Sequence, residues 1–234
     1  MSAPSEILVH RTPAYRFVRD SVNFLLRLFC GLEVHGRENL PLHGRVVLVS
    51  NHQSFLDIPI VAAAAGKRHV AFVARDSLAN SKPLAWLMRQ CGAVLVRRGQ
   101  ADRRALKDMI AHLELDDSLC VFPEGTRSVD GSIGEFRGGA LIAARRAHAP
   151  VVPVAIDGAF GVWPRGRKLP RPGKIHVRFG APLDGTTNDA LDRVRSRVVE
   201  LLDPDAGLDS EAGPQSLETR TDPSLLSAEA EASA

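Results

Sequence analysis

The apolar pattern of the chain begins at Tyr15. Phe17, Val18, Val22, Leu25, Leu26 and Phe29 recur at helical spacing as far as Leu32, while Arg16, Arg19, Asp20, Asn23 and Arg27 fall mostly elsewhere on the wheel. That spacing predicts an amphipathic helix with a basic polar side. Such a helix either packs on its own domain or lies in a membrane interface with its arginines facing anionic lipid; Phe24 and Leu28 widen the apolar sector and favour the interface. From Gly36 to about Asp203 the pattern changes. Short β-branched runs at Val46–Ser50, Val70–Ala74, Ala93–Val96, Leu119–Phe122, Val151–Ile156 and Ile175–Phe179 predict strands. Helical patterns lie at Ile58–Ala65, Pro83–Gln90, Ala101–Leu113, Gly139–His148 and Asp189–Leu202. Continuously apolar strands separated by helices predict an α/β fold with a mainly parallel sheet flanked by helices. The stretch Asp203–Ala234 is rich in Asp, Glu, Ser, Ala and Pro and has no aromatic residue, which predicts a disordered tail. Three parts result: an N-terminal amphipathic helix region (1–31), one α/β domain (32–203) and an acidic disordered tail (204–234).

Composition narrows the classes. With 44% hydrophobic and 24% charged residues in 234, the chain is too charged for a polytopic membrane protein and too apolar for a disordered one. The formal net charge of +3 hides an asymmetry: the stretch from Asp203 onward carries eight acids against one base, so the rest of the chain is strongly basic. A basic body suits an anionic membrane surface or an acidic carrier. Two Trp and one Tyr offer few stacking platforms, which argues against nucleic acid. The three cysteines, Cys30, Cys91 and Cys120, are odd in number and form no CxxC pair, so a reducing compartment is expected, without a disulfide framework or structural zinc. The other histidines, His35 and His176 among them, show no ligand spacing, and no metal is expected. No signal peptide is visible, and the longest uncharged apolar run, Ile58–Ala65, is far below the roughly 18 residues a membrane span needs.

Three segments at predicted strand ends carry chemistry, where open α/β sheets place their ligands. In Asn51-His52-Gln53-Ser54-Phe55-Leu56-Asp57, a turn or helix start brings His52 and Asp57 together; Asp57 is expected as the N-cap and Pro59 in the first turn. An imidazole with one nitrogen anchored by a carboxylate is an oriented general base. The same spacing arises when Asp57 merely caps a helix or completes a capping box with Ser54. In Phe122-Pro123-Glu124-Gly125-Thr126-Arg127-Ser128, Pro123 ends the strand, Gly125 turns the backbone, and Arg127 offers a fork matched to phosphate oxygens. Glu124 positions Arg127 or meets a substrate hydroxyl. Arg97 and Arg98 leave a third strand beside Gly99, and Arg137 precedes a helix start, a favourable place for an anion. The loop from Arg165 to Lys174 holds five bases and no acid.

Asn51-His52-Gln53-Ser54-x-x-Asp57, then Val96-x-Arg98, then Phe122 to Ser128, then Val152-Pro153-Val154-Ala155-Ile156, in that order, resembles the 1-acylglycerol-3-phosphate acyltransferase (lysophosphatidic acid acyltransferase) family of glycerolipid acyltransferases. The likeness covers roughly Leu32 to Leu183. It implies that His52 is the catalytic base and Asp57 its orienting partner. It implies a phosphate and glycerol site at Glu124, Gly125, Thr126 and Arg127, with Arg98 as a second basic contact. Two positions depart from the family: Arg97 stands where an acid or polar residue is common, and a basic pair is reduced to Phe136-Arg137.

The implied reaction moves an acyl group from an acyl thioester, acyl-CoA or acyl carrier protein, to the free hydroxyl of a lysophosphatidate. It needs no cofactor and no acyl-enzyme. The implied place is the cytoplasmic face of the membrane, held peripherally. Three other readings compete. One is an acyltransferase for another acceptor, such as a lysophospholipid or lyso-ornithine lipid. Another is a hydrolase, opposed by the lack of a Gly-x-Ser-x-Gly elbow. The last is a non-catalytic, basic lipid-binding module.

Overall fold

The computed structural model describes residues 13–75, 93–96, 103–115 and 117–203. The expected helix Pro83–Gln90, the residues Cys91, Arg97 and Arg98, and the acidic tail from residue 204 lie outside the described residues.

Among the described residues, seven strands form one sheet: β1 (Glu33–His35), β2 (Val46–Ser50), β3 (Val70–Arg75), β4 (Val94–Val96), β5 (Ser118–Val121), β6 (Val151–Asp157) and β7 (His176–Phe179). Their spatial order is β1-β7-β6-β2-β5-β3-β4. Six helices are described: α1 (Pro13–Cys30), α2 (Asp57–Ala64), α3 (Arg103–Glu114), α4 (Ile142–Arg146), α5 (Ala159–Val162) and α6 (Ala190–Leu202). The parallel α/β architecture follows the apolar runs, since a strand buried on both faces needs apolar residues at consecutive positions. In β2, Val46 and Leu48 face one core and Val47 and Val49 the other, all fully buried. The first core is closed by α1, α2 and α5, the second by α3, α4 and α6.

Every neighbouring pair is parallel except β6 and β7, which run antiparallel with Val154 opposite Phe179 and Asp157 opposite His176. β1, parallel to β7, therefore also runs against the central strands. Pro153 sits inside β6 without harm to the ladder. Its carbonyl accepts the Gly180 amide (2.8 Å), so its missing N–H points to the β7 side, just beyond the first β6–β7 register pair. After β6 the chain turns at Gly158 (φ +80°), where a Cβ would collide with the Lys174 carbonyl; only glycine allows this approach.

α1 differs from the single-faced helix expected. Tyr15, Leu26 and Cys30 are buried, and Val22 packs against the first core. A second apolar strip of Phe17, Phe24, Leu25, Leu28 and Phe29 faces solvent, with Phe17 74% and Phe24 65% exposed. The helix thus packs on the domain and still presents an uncovered apolar side. No described helix is long and apolar enough to cross a membrane.

Candidate active site

β2 and β5 are parallel neighbours in the middle of the sheet. The chain leaving β2 enters α2 on the first core and moves toward β3, whereas the chain leaving β5 enters α4 on the second core and moves toward β6. The two connections depart to opposite faces and directions. The crevice between the C-terminal ends of β2 and β5 is therefore a topological switch point, and both motif segments emerge there.

Beyond β2, Asn51 continues the sheet with its side chain. Its amide donates to the Ile156 carbonyl (2.9 Å) and its Oδ1 accepts the Ile156 N–H (2.8 Å). The Val152–Ile156 block thereby acquires a physical role, because β6 holds the residue immediately before His52. His52 Nδ1 then lies 2.7 Å from Asp57 Oδ2, with the imidazole 19% exposed and the carboxylate fully buried. Oδ2 also accepts the backbone amides of Gln53 (2.6 Å) and Ser54 (2.8 Å). Asp57 is not the N-cap expected from the sequence. Leu56 takes that place, and Asp57 is the first helical residue of α2. From there its short side chain reaches back over the turn, so one carboxylate closes the turn and anchors the ring.

A carboxylate can only accept, so Nδ1 carries the proton in this pair and Nε2 of the neutral ring is left as an acceptor. The ring stacks on Phe122 at 4.2 Å between centroids and 22° between planes. Ser54, buried, donates its hydroxyl to the Trp163 carbonyl (2.8 Å) and accepts the Leu56 amide (3.1 Å). Burial, reinforced by the nearby Asp57 charge, pushes the Cys120 thiol far up, so it stays protonated.

The second segment is fastened to the first. Glu124 Oε1 accepts the His52 amide (2.8 Å), Oε2 accepts the Gly134 amide (3.0 Å), and the Ser128 amide donates to the His52 carbonyl (2.8 Å). Glu124 is buried, which raises its pKa against the lowering effect of those two amides. It therefore braces both motif turns, a role its neighbours in sequence do not reveal. Gly125 adopts φ +67°, and a Cβ there would face the Arg137 guanidinium at 3.6 Å. Arg137 and the exposed Gly125 turn thus lie together, while Phe136, in the place of the family's other base, is buried in the second core. Arg127 spreads over the Phe55 ring, 3.4 Å from Cζ to centroid, and Phe55 leans on Trp163 at 5.6 Å. Thr126 is half-buried beside it.

Of the residues singled out by sequence, His52, Asp57, Glu124, Gly125, Thr126, Arg127 and Arg137 converge on this crevice. Arg97 and Arg98 lie outside the described residues. Sequence reasoning missed Asn51 as a clamp, Phe122 as a wall for the imidazole and Phe55 as a ledge for Arg127. Only Phe55 left a signal, as a large aromatic inside the turn before α2; Phe122 reads simply as the end of the apolar run Leu119–Phe122.

The Acyltransferase family model matches residues 31–157, more than half of the chain, and the chain belongs to that family. It is 32% identical over 182 residues to a chloroplast 1-acyl-sn-glycerol-3-phosphate acyltransferase of Arabidopsis thaliana, covering 75% of this chain and 50% of that one. It is 34% identical over 176 residues to a probable 1-acyl-sn-glycerol-3-phosphate acyltransferase of Mycoplasma pneumoniae, covering 66% and 62%. The chain thus spans about half to three fifths of the length of these curated relatives. The crystal structure of the 1-acyl-sn-glycerophosphate (LPA) acyltransferase PlsC from Thermotoga maritima is similar with a TM-score of 0.64 and 29% identity, covering 83% of this chain and 82% of that one.

Proposed function

We propose that this chain transfers an acyl group from an acyl thioester to the free hydroxyl of a lysophosphatidate, yielding phosphatidate. The observation that carries the reading is the His52–Asp57 pair, held at 2.7 Å at the switch point beside Arg127 and the Gly125 turn. The relatives' names support the acceptor. In the reaction, His52 Nε2 takes the acceptor's hydroxyl proton as the oxygen attacks the thioester carbonyl. The tetrahedral intermediate collapses, the C–S bond breaks, and the imidazolium returns the proton to the thiolate. Asp57 stays ionised and steadies the imidazolium. Base help of this kind is worth roughly 10²–10⁴-fold. Arg127 and Arg137 hold the acceptor's phosphate, with Arg98 as an additional contact, and Glu124 keeps the two motif turns in register. The transfer is direct, without an acyl-enzyme: the Ser54 hydroxyl already donates to the Trp163 carbonyl, and the Cys120 thiol is buried and protonated.

The same reading places residues 32–203 as the catalytic unit and α1 on the cytoplasmic face of an anionic membrane, its apolar strip in the interface and Arg16 and Arg27 beside lipid phosphates. The test uses purified full chain, lysophosphatidate and other lyso-lipids as acceptors, and acyl-CoA or acyl carrier protein as donor. Phosphatidate formation is expected with lysophosphatidate and is expected to vanish in His52→Ala, while circular dichroism is unchanged. Turnover retained in His52→Ala defeats the base assignment, and turnover only with a different acceptor redirects the substrate.

A further inference from the structure

β1 and β7 make the sheet edge farthest from β4, paired in parallel with Glu33 opposite His176 and His35 opposite Arg178. Val34 and Val177 turn to the first core. By the alternation of side chains, Glu33, His35 and His176 emerge together on the opposite face. There Glu33 Oε2 lies 3.7 Å from His35 Nε2 and 3.3 Å from His176 Nδ1. The three donor atoms all fall within 4.8 Å of one another. A tetrahedral ion bound at about 2.0–2.2 Å requires donor atoms roughly 3.3–3.6 Å apart. The two separations from Glu33 bracket that edge, and the two imidazole nitrogens, within 4.8 Å of each other, reach it by side-chain rotation.

We propose that Glu33, His35 and His176 form a divalent transition-metal site, with Zn²⁺ as the fitting ion and a fourth position open to water. Two imidazoles and one carboxylate form a borderline donor set that suits Zn²⁺ better than Ca²⁺ or Mg²⁺. The local charge is compatible. Arg178 neighbours His35 in register, but its guanidinium donates to the Leu201 carbonyl on α6 (3.2 Å). Asp157, the antiparallel partner of His176, adds a second carboxylate to the same row. Spacing along the chain could not reveal this set, because Glu33 and His35 are two residues apart and His176 reaches them only through strand register. A bound ion would tie edge strand β1, and α1 ahead of it, to β7. None of the three residues belongs to the His52 crevice, so the metal site stands or falls independently of acyl transfer.

The test is calorimetric titration of the purified full chain with Zn²⁺ at neutral pH, beside thermal unfolding and Co²⁺ absorption. One saturable site is expected, weakened more than about tenfold in His35→Gln, His176→Gln or Glu33→Gln, because even the outer partners of metal ligands change affinity by about 10–100-fold. At a 100-fold excess over Kd, Zn²⁺ is expected to raise the Tm of the wild type by on the order of 5 °C and that of His35→Gln/His176→Gln not at all. Co²⁺ is expected to give a tetrahedral visible band that the double variant lacks. All three residues are at least partly exposed, so the metal-free variants serve as their own folding control. No saturable Zn²⁺ binding, or a site and Tm rise that persist unchanged in the double variant, would overturn the proposal.

Discussion

Asp57 gathers three donors on one oxygen, from the His52 ring and the amides of Gln53 and Ser54, while its buried Oδ1 has no hydrogen-bond partner among the described residues. A single carboxylate oxygen thus both closes the turn and anchors the ring. Asp57→Asn is expected to keep the fold and lower kcat by about 10²–10⁴-fold, because the amide no longer fixes the tautomer of the ring. Steady-state rates on the purified variant check this; a near-normal rate would reduce Asp57 to a turn-closing residue. Arg127→Ala is expected to raise KM for the acceptor about tenfold or more with little change in kcat, and an unchanged acceptor dependence would remove Arg127 from phosphate binding. The His–Asp pair was legible in the sequence because both partners lie in one short turn. Glu124 was legible only as part of a motif. Its two amide partners are 72 residues before it and 10 after it, and a contact across that separation leaves no trace in local spacing.

At the level of elements, α1 was half legible. The periodicity gave its extent, since an apolar recurrence fixes a helix whichever side is covered. It could not tell which apolar residues are covered, because Leu26 and Phe29 look alike in a pattern while only Leu26 meets the core. The uncovered strip carries a prediction: Phe24→Glu/Leu28→Glu is expected to weaken binding to anionic vesicles at least tenfold in a sedimentation assay, with soluble-substrate turnover and Tm close to wild type. Unaltered vesicle binding would assign the strip another partner. β1 was missed because an edge strand of three residues, two of them charged or titratable, has no apolar run to announce it. The directions of β7 and β1 were missed for another reason. Strand direction follows the route of the connection, and the segment from Gly158 to Ile175 returns the chain without crossing the sheet.

The whole molecule is organised as two ends of one sheet. At the end opposite the crevice, Asp117 receives His69 Nδ1 at 2.8 and 2.9 Å and His112 Nδ1 at 3.4 Å, and Tyr15 of α1 leans on the His69 ring at 4.7 Å. Burial alone would raise the Asp117 pKa, but hydrogen bonds from His112 and His69 outweigh it and hold the carboxyl far below the usual range. A carboxylate depressed in the folded state stabilises above its unfolded value, near pH 4, and loses that contribution as pH falls toward the folded value. Asp117→Asn is expected to cost about 3 kcal/mol in urea unfolding at pH 7, with the deficit shrinking on acidification below about pH 4. A deficit that does not change with pH would mean that Asp117 acts by shape alone.

The reversed pairing of β6 with β7 decides where the N-terminal helix finishes. Because β7 and β1 run backward, Cys30 hands its carbonyl to the Ile175 amide (3.0 Å) at the same rim from which His52 projects. With all strands codirectional, the helix would terminate at the far rim, about 17 Å away along a five-residue strand. Instead the uncovered apolar flank of α1 runs for about 27 Å and ends at the rim where the crevice opens. A bilayer surface covering that flank would therefore lie against the rim that carries the His52 crevice.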